Sequence, residues 1–280
     1  MRTKQQFLLL VLGFSVSLFS APASAVIQWT LNTGLTCSGG ANFGNSCQKT
    51  TDGVQVNARA YSTTLNTANT ALETAYLGVY GGSGGGLGVT NRDGAVATSN
   101  CGTGKDCGEG TIANTTPPEH ALDTNGRTDS ILFTFSSLIK LTALSIGYPG
   151  SNSSGIDSDL TILAYTSADV PNLNGDTYQG ASGLTTQGWK LVGQYSNVAD
   201  APNNTVTVNS AGLYSQYWLV AGYTPSFGGP GNWSIGDDYA KILTLSGGKT
   251  TNVSEPNTLL LIGVGAIAGI WGRRRRQVAR

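Results

Sequence analysis

Trp189-Lys190-Leu191-Val192-Gly193-Gln194-Tyr195 carries Trp, Leu and Tyr on one set of alternate positions and Lys, Val and Gln on the other. Period-two alternation over seven residues is the pattern of a half-buried β-strand, because successive side chains point to opposite faces of a sheet. Short runs of the same character recur at 26–31, 54–61, 75–80, 131–135, 141–147, 160–166, 205–208, 217–223 and 239–245. Clusters of Gly, Asn, Asp, Ser and Pro separate them, and these residues favour turns. No internal repeat or βαβ alternation is visible. Only 65–76 has a mixed Ala/Leu spacing that a helix would accept, and its Asn and Thr content weighs against one. The expected fold is all-β, a single antiparallel β-sandwich of jelly-roll type.

Composition points to the same class. Of 280 residues, 39 are Gly and only 11% are charged, while 39% are hydrophobic. That excludes a coiled coil and a wholly disordered chain. The formal net charge of zero conceals an asymmetry. Seven of the sixteen basic residues lie at the extreme ends, so 26–254 holds nine basic against fifteen acidic residues, a net charge of −6. A body of that sign repels phosphate backbones, which argues against a nucleic-acid partner.

Both ends have the form of addresses. Arg2 and Lys4 precede an apolar run at 7–14, and Ala23-Ser24-Ala25 then offers small residues at both signal-peptidase positions, Ala23 and Ala25. A signal peptide is therefore expected at 1–25 and an ectodomain at 26–253. At the other end, Ser254-Glu255-Pro256 leads into an apolar stretch at 259–272. It contains Leu259, Leu260, Leu261, Ile262, Val264, Ile267, Ile270 and Trp271. These 14 residues would make a helix of about 21 Å, a short or temporary membrane anchor. Arg273, Arg274, Arg275 and Arg276 would hold the extreme C-terminus in the cytoplasm.

The 254–280 tail closely resembles the PEP-CTERM sorting signal of exosortase-processed bacterial proteins, which combines a Pro-Glu-Pro-type motif, an apolar helix and an arginine cluster. Glu255 and Pro256 match its last two motif positions, with Ser254 where the first Pro is usual. The resemblance implies export from a Gram-negative cell and processing by signal peptidase and exosortase. It also implies transient residence in the inner membrane, delivery to the surface or matrix, and an exopolysaccharide-rich biofilm setting. The mature region also resembles exosortase-dependent surface proteins. The segments behind this are Glu119-His120-Ala121-Leu122-Asp123-Thr124-Asn125-Gly126, Asp157-Ser158-Asp159-Leu160, Gln216-Tyr217-Trp218-Leu219 and Asp237-Asp238-Tyr239. That family has no established biochemical role, so this likeness implies a location rather than an activity.

Four cysteines fit an oxidising compartment. Cys37 with Cys47, and Cys101 with Cys107, each bracket a Gly/Asn-rich loop that a local disulfide would order, although four cysteines allow three connectivities. Zinc lacks the necessary ligand spacing, and His120 is the only histidine. Gly81-Gly82-Ser83-Gly84-Gly85 matches G-x-S-x-G literally, but a strand-like 87–89 follows where a nucleophile elbow needs a helix, so it reads as a loop. Asp123, Asn125, Asp129, Asp157 and Asp159 offer oxygens in loops beside strands. They form a candidate set for structural calcium, and Asp237-Asp238 is a further acidic pair. Trp233, in a Gly-rich loop, is a candidate for stacking on a sugar or partner. The functional expectation is a non-enzymatic surface or matrix protein that binds exopolysaccharide or neighbouring proteins. The alternatives are a secreted polysaccharide-processing enzyme that uses clustered carboxylates, and a ligand-free spacer.

Overall fold

The computed structural model describes residues 25–40, 42–64, 70–92, 120–124, 127–147, 157–229 and 233–250. Cys101, Cys107, Asn125, the Ala23 cleavage position and the whole 254–280 tail, including its expected anchor, lie outside them. Among the described residues the regular elements are fourteen strands and a few short 3-10 turns. The expected all-β antiparallel architecture is the one observed.

The organising element is β9, Asp129–Gly147, whose two halves have different neighbours. Its first half lies between β4 (Val54–Thr63) and β13 (Ser215–Gly222), all antiparallel. Beyond β13 follow β10 (Leu160–Tyr165) and then β11 (Trp189–Tyr195). Beyond β4 lie β3 (Ser46–Thr51) and β2 (Thr36–Ser38), with β5 (Leu72–Thr74) beside the far end of β4. The second half of β9 lies between β12 (Thr205–Thr207) and β14 (Tyr239–Lys249). β14 also pairs with β1 (Ile27–Thr30), β7 (Gly86–Thr90) and β8 (Leu122–Asp123), and β6 (Tyr76–Tyr80) closes that edge on β7. Ser136 and Leu138 are exposed where β9 changes neighbours, so one strand serves both sheets through a corner.

The inner faces of the two halves share one core. Trp29, Val56, Phe133, Phe135, Leu141, Leu144, Ile162, Trp218 and Leu245 all belong to it. The Trp29 indole donates to the Val54 carbonyl at 3.0 Å, which settles its only polar group. A second, smaller core lies on the other face of the first sheet. There Leu132, Leu163, Tyr165, Trp189 and Leu219 are roofed by Leu173, Tyr178 and Leu184 from the long 166–188 segment. The strands β9, β10 and β13 are thus apolar on both faces, which explains their near-continuous hydrophobic runs.

Three local readings change. The alternation in β11 is broken by a register shift opposite Ile162/Leu163. Trp189 enters the second core, whereas Val192 and Tyr195 pack on the first, because a bulge reverses which face later residues occupy. Within 65–76 the described part is extended, not helical. Leu72–Thr74 pairs with β4, and Glu73 receives Arg127 at 2.8 Å. The Cys-bracketed loop at 37–47 is a hairpin, with Cys37 and Cys47 directly opposed and joined as a disulfide.

The G-x-S-x-G stretch is the turn between β6 and β7. Gly147 packs against it so closely that an added Cβ would lie 2.3 Å from the Gly85 carbonyl oxygen and 2.5 Å from that of Gly84. Main chain cannot yield as a side chain can. Gly147→Ala is therefore expected to destabilise the protein by about 1–3 kcal/mol, whereas Gly84→Ala should be near neutral because its Cβ would meet nothing within 4 Å. Parallel thermal melts of the two variants check this, and equal melting temperatures would refute it.

Candidate functional site

The N-terminal end of β10 is where carboxylates converge. Asp157 forms an isolated parallel bridge with Asp238: its N–H donates to the Asp237 carbonyl at 2.8 Å, and its own carbonyl accepts from Tyr239 N–H at 2.8 Å. These bonds bring two segments far apart in sequence side by side immediately before β10 and β14. The Asp238 side chain is clamped further. Its Oδ1 accepts from the Asp159 N–H at 2.9 Å and its Oδ2 from the Thr124 hydroxyl at 2.8 Å. Thr124 Oγ1 in turn accepts from Gly236 N–H at 3.0 Å. On the other side, Asp159 Oδ1 accepts from Asn197 N–H at 2.7 Å, and Ser158 Oγ from Ala199 N–H at 2.8 Å. Asn197 can meet this carboxylate because it adopts a left-handed backbone, φ 49°.

Asp157, Asp237 and Asp238 each place a carboxylate oxygen within 4.8 Å of the others. Two oxygens on one Ca²⁺ at ~2.3–2.6 Å can be no more than about 5 Å apart, so all three fit a single coordination sphere. Asp157 Oδ1 and Asp237 Oδ1 are buried and have no hydrogen-bond partner. A buried carboxylate oxygen without a donor is costly, and a cation satisfies it directly.

The electrostatics reflect this crowding. Burial, a hydrogen bond to Asp157 and the Asp157 charge raise Asp238 far above the usual carboxylate range. Asp159 is raised to about 6, first by burial, against the opposing bond from Asn197, with Asp157 and Asp237 adding to the rise. Asp237 is raised by burial and by Asp157, while Ser234 opposes the rise. The hydrogen bond between the Asp157 and Asp238 side chains favours the protonated form of Asp238, and a cation at the trio would compete with that proton.

The sequence-derived set is regrouped. Asp157 is in the cluster, whose other two members are Asp237 and Asp238, whereas Asp159 lies beside the trio, its N–H bonded to Asp238 Oδ1 and its carboxylate to Asn197. Asp123 lies in β8 opposite Tyr239, next to Thr124, and contributes none of the three clustered oxygens. Asp129 is buried in register with Ser62, near the Tyr178 hydroxyl, and is also outside the trio. Trp233 is half-buried, its ring 5.0 Å from that of Tyr223. His120 stacks on Tyr80 at 4.4 Å and bonds Thr90 Oγ1 at 3.2 Å, a packing role. The Asp159–Asp238 link spans 79 residues, and nothing local in the sequence signals it.

Among the described residues no helix is long and apolar enough to cross a membrane. No curated protein matches the chain. Residues 252–276, however, match the PEP-CTERM protein-sorting motif, so the chain carries the signal of an exported, exosortase-processed surface protein of Gram-negative bacteria.

Proposed function

We propose that this is a non-enzymatic component of the cell surface or extracellular matrix, stabilised by a divalent cation and retained in exopolysaccharide. The sorting motif carries the proposal, because it sends a β-sandwich with well-anchored loops to the cell surface. The acidic cluster supports a structural rather than a catalytic use of its carboxylates. A glycoside hydrolase needs two carboxyl groups separated by ~5–9.5 Å with a sugar between them. Asp157 and Asp238 instead share a hydrogen bond and are braced by backbone donors. Signal peptidase and exosortase are the processing partners in this reading, and the apolar 259–272 segment holds the precursor in the inner membrane until the tail is cut.

Envelope fractionation of the host, with and without exosortase, tests the proposal. The expected result is surface or matrix protein lacking the 259–280 mass in the wild type, and an intact inner-membrane precursor in the exosortase-deficient strain. A mature surface form in both strains would overturn the sorting step. Release of new reducing ends from the host polysaccharide by the purified protein would overturn the non-enzymatic role.

A further inference from the structure

We infer that a second site, at the opposite end of β10 from the acidic cluster, binds a neutral saccharide. A recess of about 390 Å³ opens between Tyr165, the last residue of β10, Trp189, the first of β11, and the 166–188 segment that joins them. Its polar lining is Asp169, Asn172, Asp176 and Gln187. The Tyr165 and Trp189 rings, with centroids 5.2 Å apart, are buried in the second core and form an apolar floor.

The polar groups are held in place. Tyr165 Oη donates to Asp169 Oδ1 at 2.5 Å, and Gln187 Nε2 donates to Asp176 Oδ1 at 2.7 Å and to the Ser182 carbonyl at 3.2 Å. The backbone beneath is tied to β5, with Leu72 N–H donating to the Asp176 carbonyl at 2.7 Å and Gly175 N–H to the Leu72 carbonyl at 2.9 Å. Asp176 Oδ2 is buried yet has no donor. A preformed recess lined by carboxylate and amide side chains is suited to a ligand that brings hydrogen-bond donors.

Charge and size narrow the class. Two carboxylates repel phosphate, sulfate and uronate groups. Each already has one oxygen engaged by a protein donor, as hydrogen-bonding side chains do. What complements carboxylate acceptors, amides that both donate and accept, and an aromatic floor is a molecule with adjacent hydroxyls on one face and C–H groups on another. That is a neutral sugar. The volume lies near the lower end of the ~300–1,000 Å³ typical of small-molecule sites, so the recess suits a chain end or short branch rather than a long strand. The inference rests on the matrix role proposed above for its setting only, because sorting is read in cells and binding on purified protein.

The test uses the full chain in a detergent without a sugar headgroup. Saturation-transfer NMR and tryptophan fluorescence are followed against mono- and disaccharides of glucose, galactose, mannose and N-acetylglucosamine. At least one is expected to bind, and Asp176→Asn and Gln187→Ala are each expected to weaken it by roughly tenfold in protein that still shows a cooperative melt above the assay temperature. No saturation transfer from any of these sugars at up to roughly 50 mM would overturn the proposal. Binding that survives both variants would overturn it too, since the sugar would then sit elsewhere.

Discussion

At pH 7.5, Ca²⁺ about 100-fold above its dissociation constant is expected to raise the melting temperature of the protein by roughly 5–10 °C. Ligand linkage at that excess contributes ~2.7 kcal/mol, and each kcal/mol moves a domain of this size by ~2–4 °C. The pH dependence separates a cation site from a merely acidic surface. In the metal-free protein, Asp159, Asp237 and Asp238 all have raised values in the folded state. The stability they contribute is fully present below the unfolded carboxylate range near 4. It falls as pH rises through the folded values, Asp159 losing its share around 6. Metal-free protein should thus melt higher at pH 5 than at pH 7.5. Calcium requires the ionised forms, so its stabilisation should be large at pH 7.5 and fade towards pH 5. Asp238→Asn keeps a donor for Asp157 and should flatten the metal-free slope while abolishing the calcium effect. Identical melts in calcium and in chelator at pH 7.5 would leave the trio as a proton-sharing structural knot.

How much of this was legible in the sequence follows from which interactions are local. The runs at 54–61, 160–166 and 189–195 correspond to β4, β10 and β11 because each strand has at least one face in a core, which reads as alternation in most of β4 and as a near-continuous apolar run in β10. Two runs, 131–135 and 141–147, proved to be one strand. The polar residues between them, Ser136 and Ser137, mark a corner rather than a turn. β2 and β3 were hidden because their register is held by Cys37–Cys47 and not by apolar spacing. The bulge in β11 shows only in its partner's register. Asp157 and Asp159 stood out as a pair, but their union with Asp237 and Asp238 depends on the β10/β14 ends meeting, and no spacing rule reports that. The saccharide recess was least visible. It is formed by a long segment without periodicity, and Asp169, Asn172, Asp176 and Gln187 come together only because Leu173, Tyr178 and Leu184 pin that segment onto the sheet.

Phe133→Ala should cost about 3–5 kcal/mol and lower the melting temperature by roughly 10 °C or more. Phe133 is fully buried at the centre of the first half of β9, in register with Ala58 on one side and Trp218 on the other. Both neighbours are themselves buried, and Ala58 is too small to move into the void, so the cavity would stay open. Leu132, the adjacent residue, points to the opposite face and into the smaller core under 166–188. Leu132→Ala should cost less, about 2–3 kcal/mol, because that roof is a loop segment able to settle into the space. Leu138, 47% exposed at the corner, should be nearly silent as alanine, within about 0.5 kcal/mol. The order Phe133, Leu132, Leu138 is therefore a measurement of the architecture itself. Were the 166–188 segment not packed on that face, 133 and 138 would still differ but 132 would face solvent and cost almost nothing. Chemical denaturation of the three variants decides between these pictures, and a neutral Leu132→Ala would remove the second core from the fold.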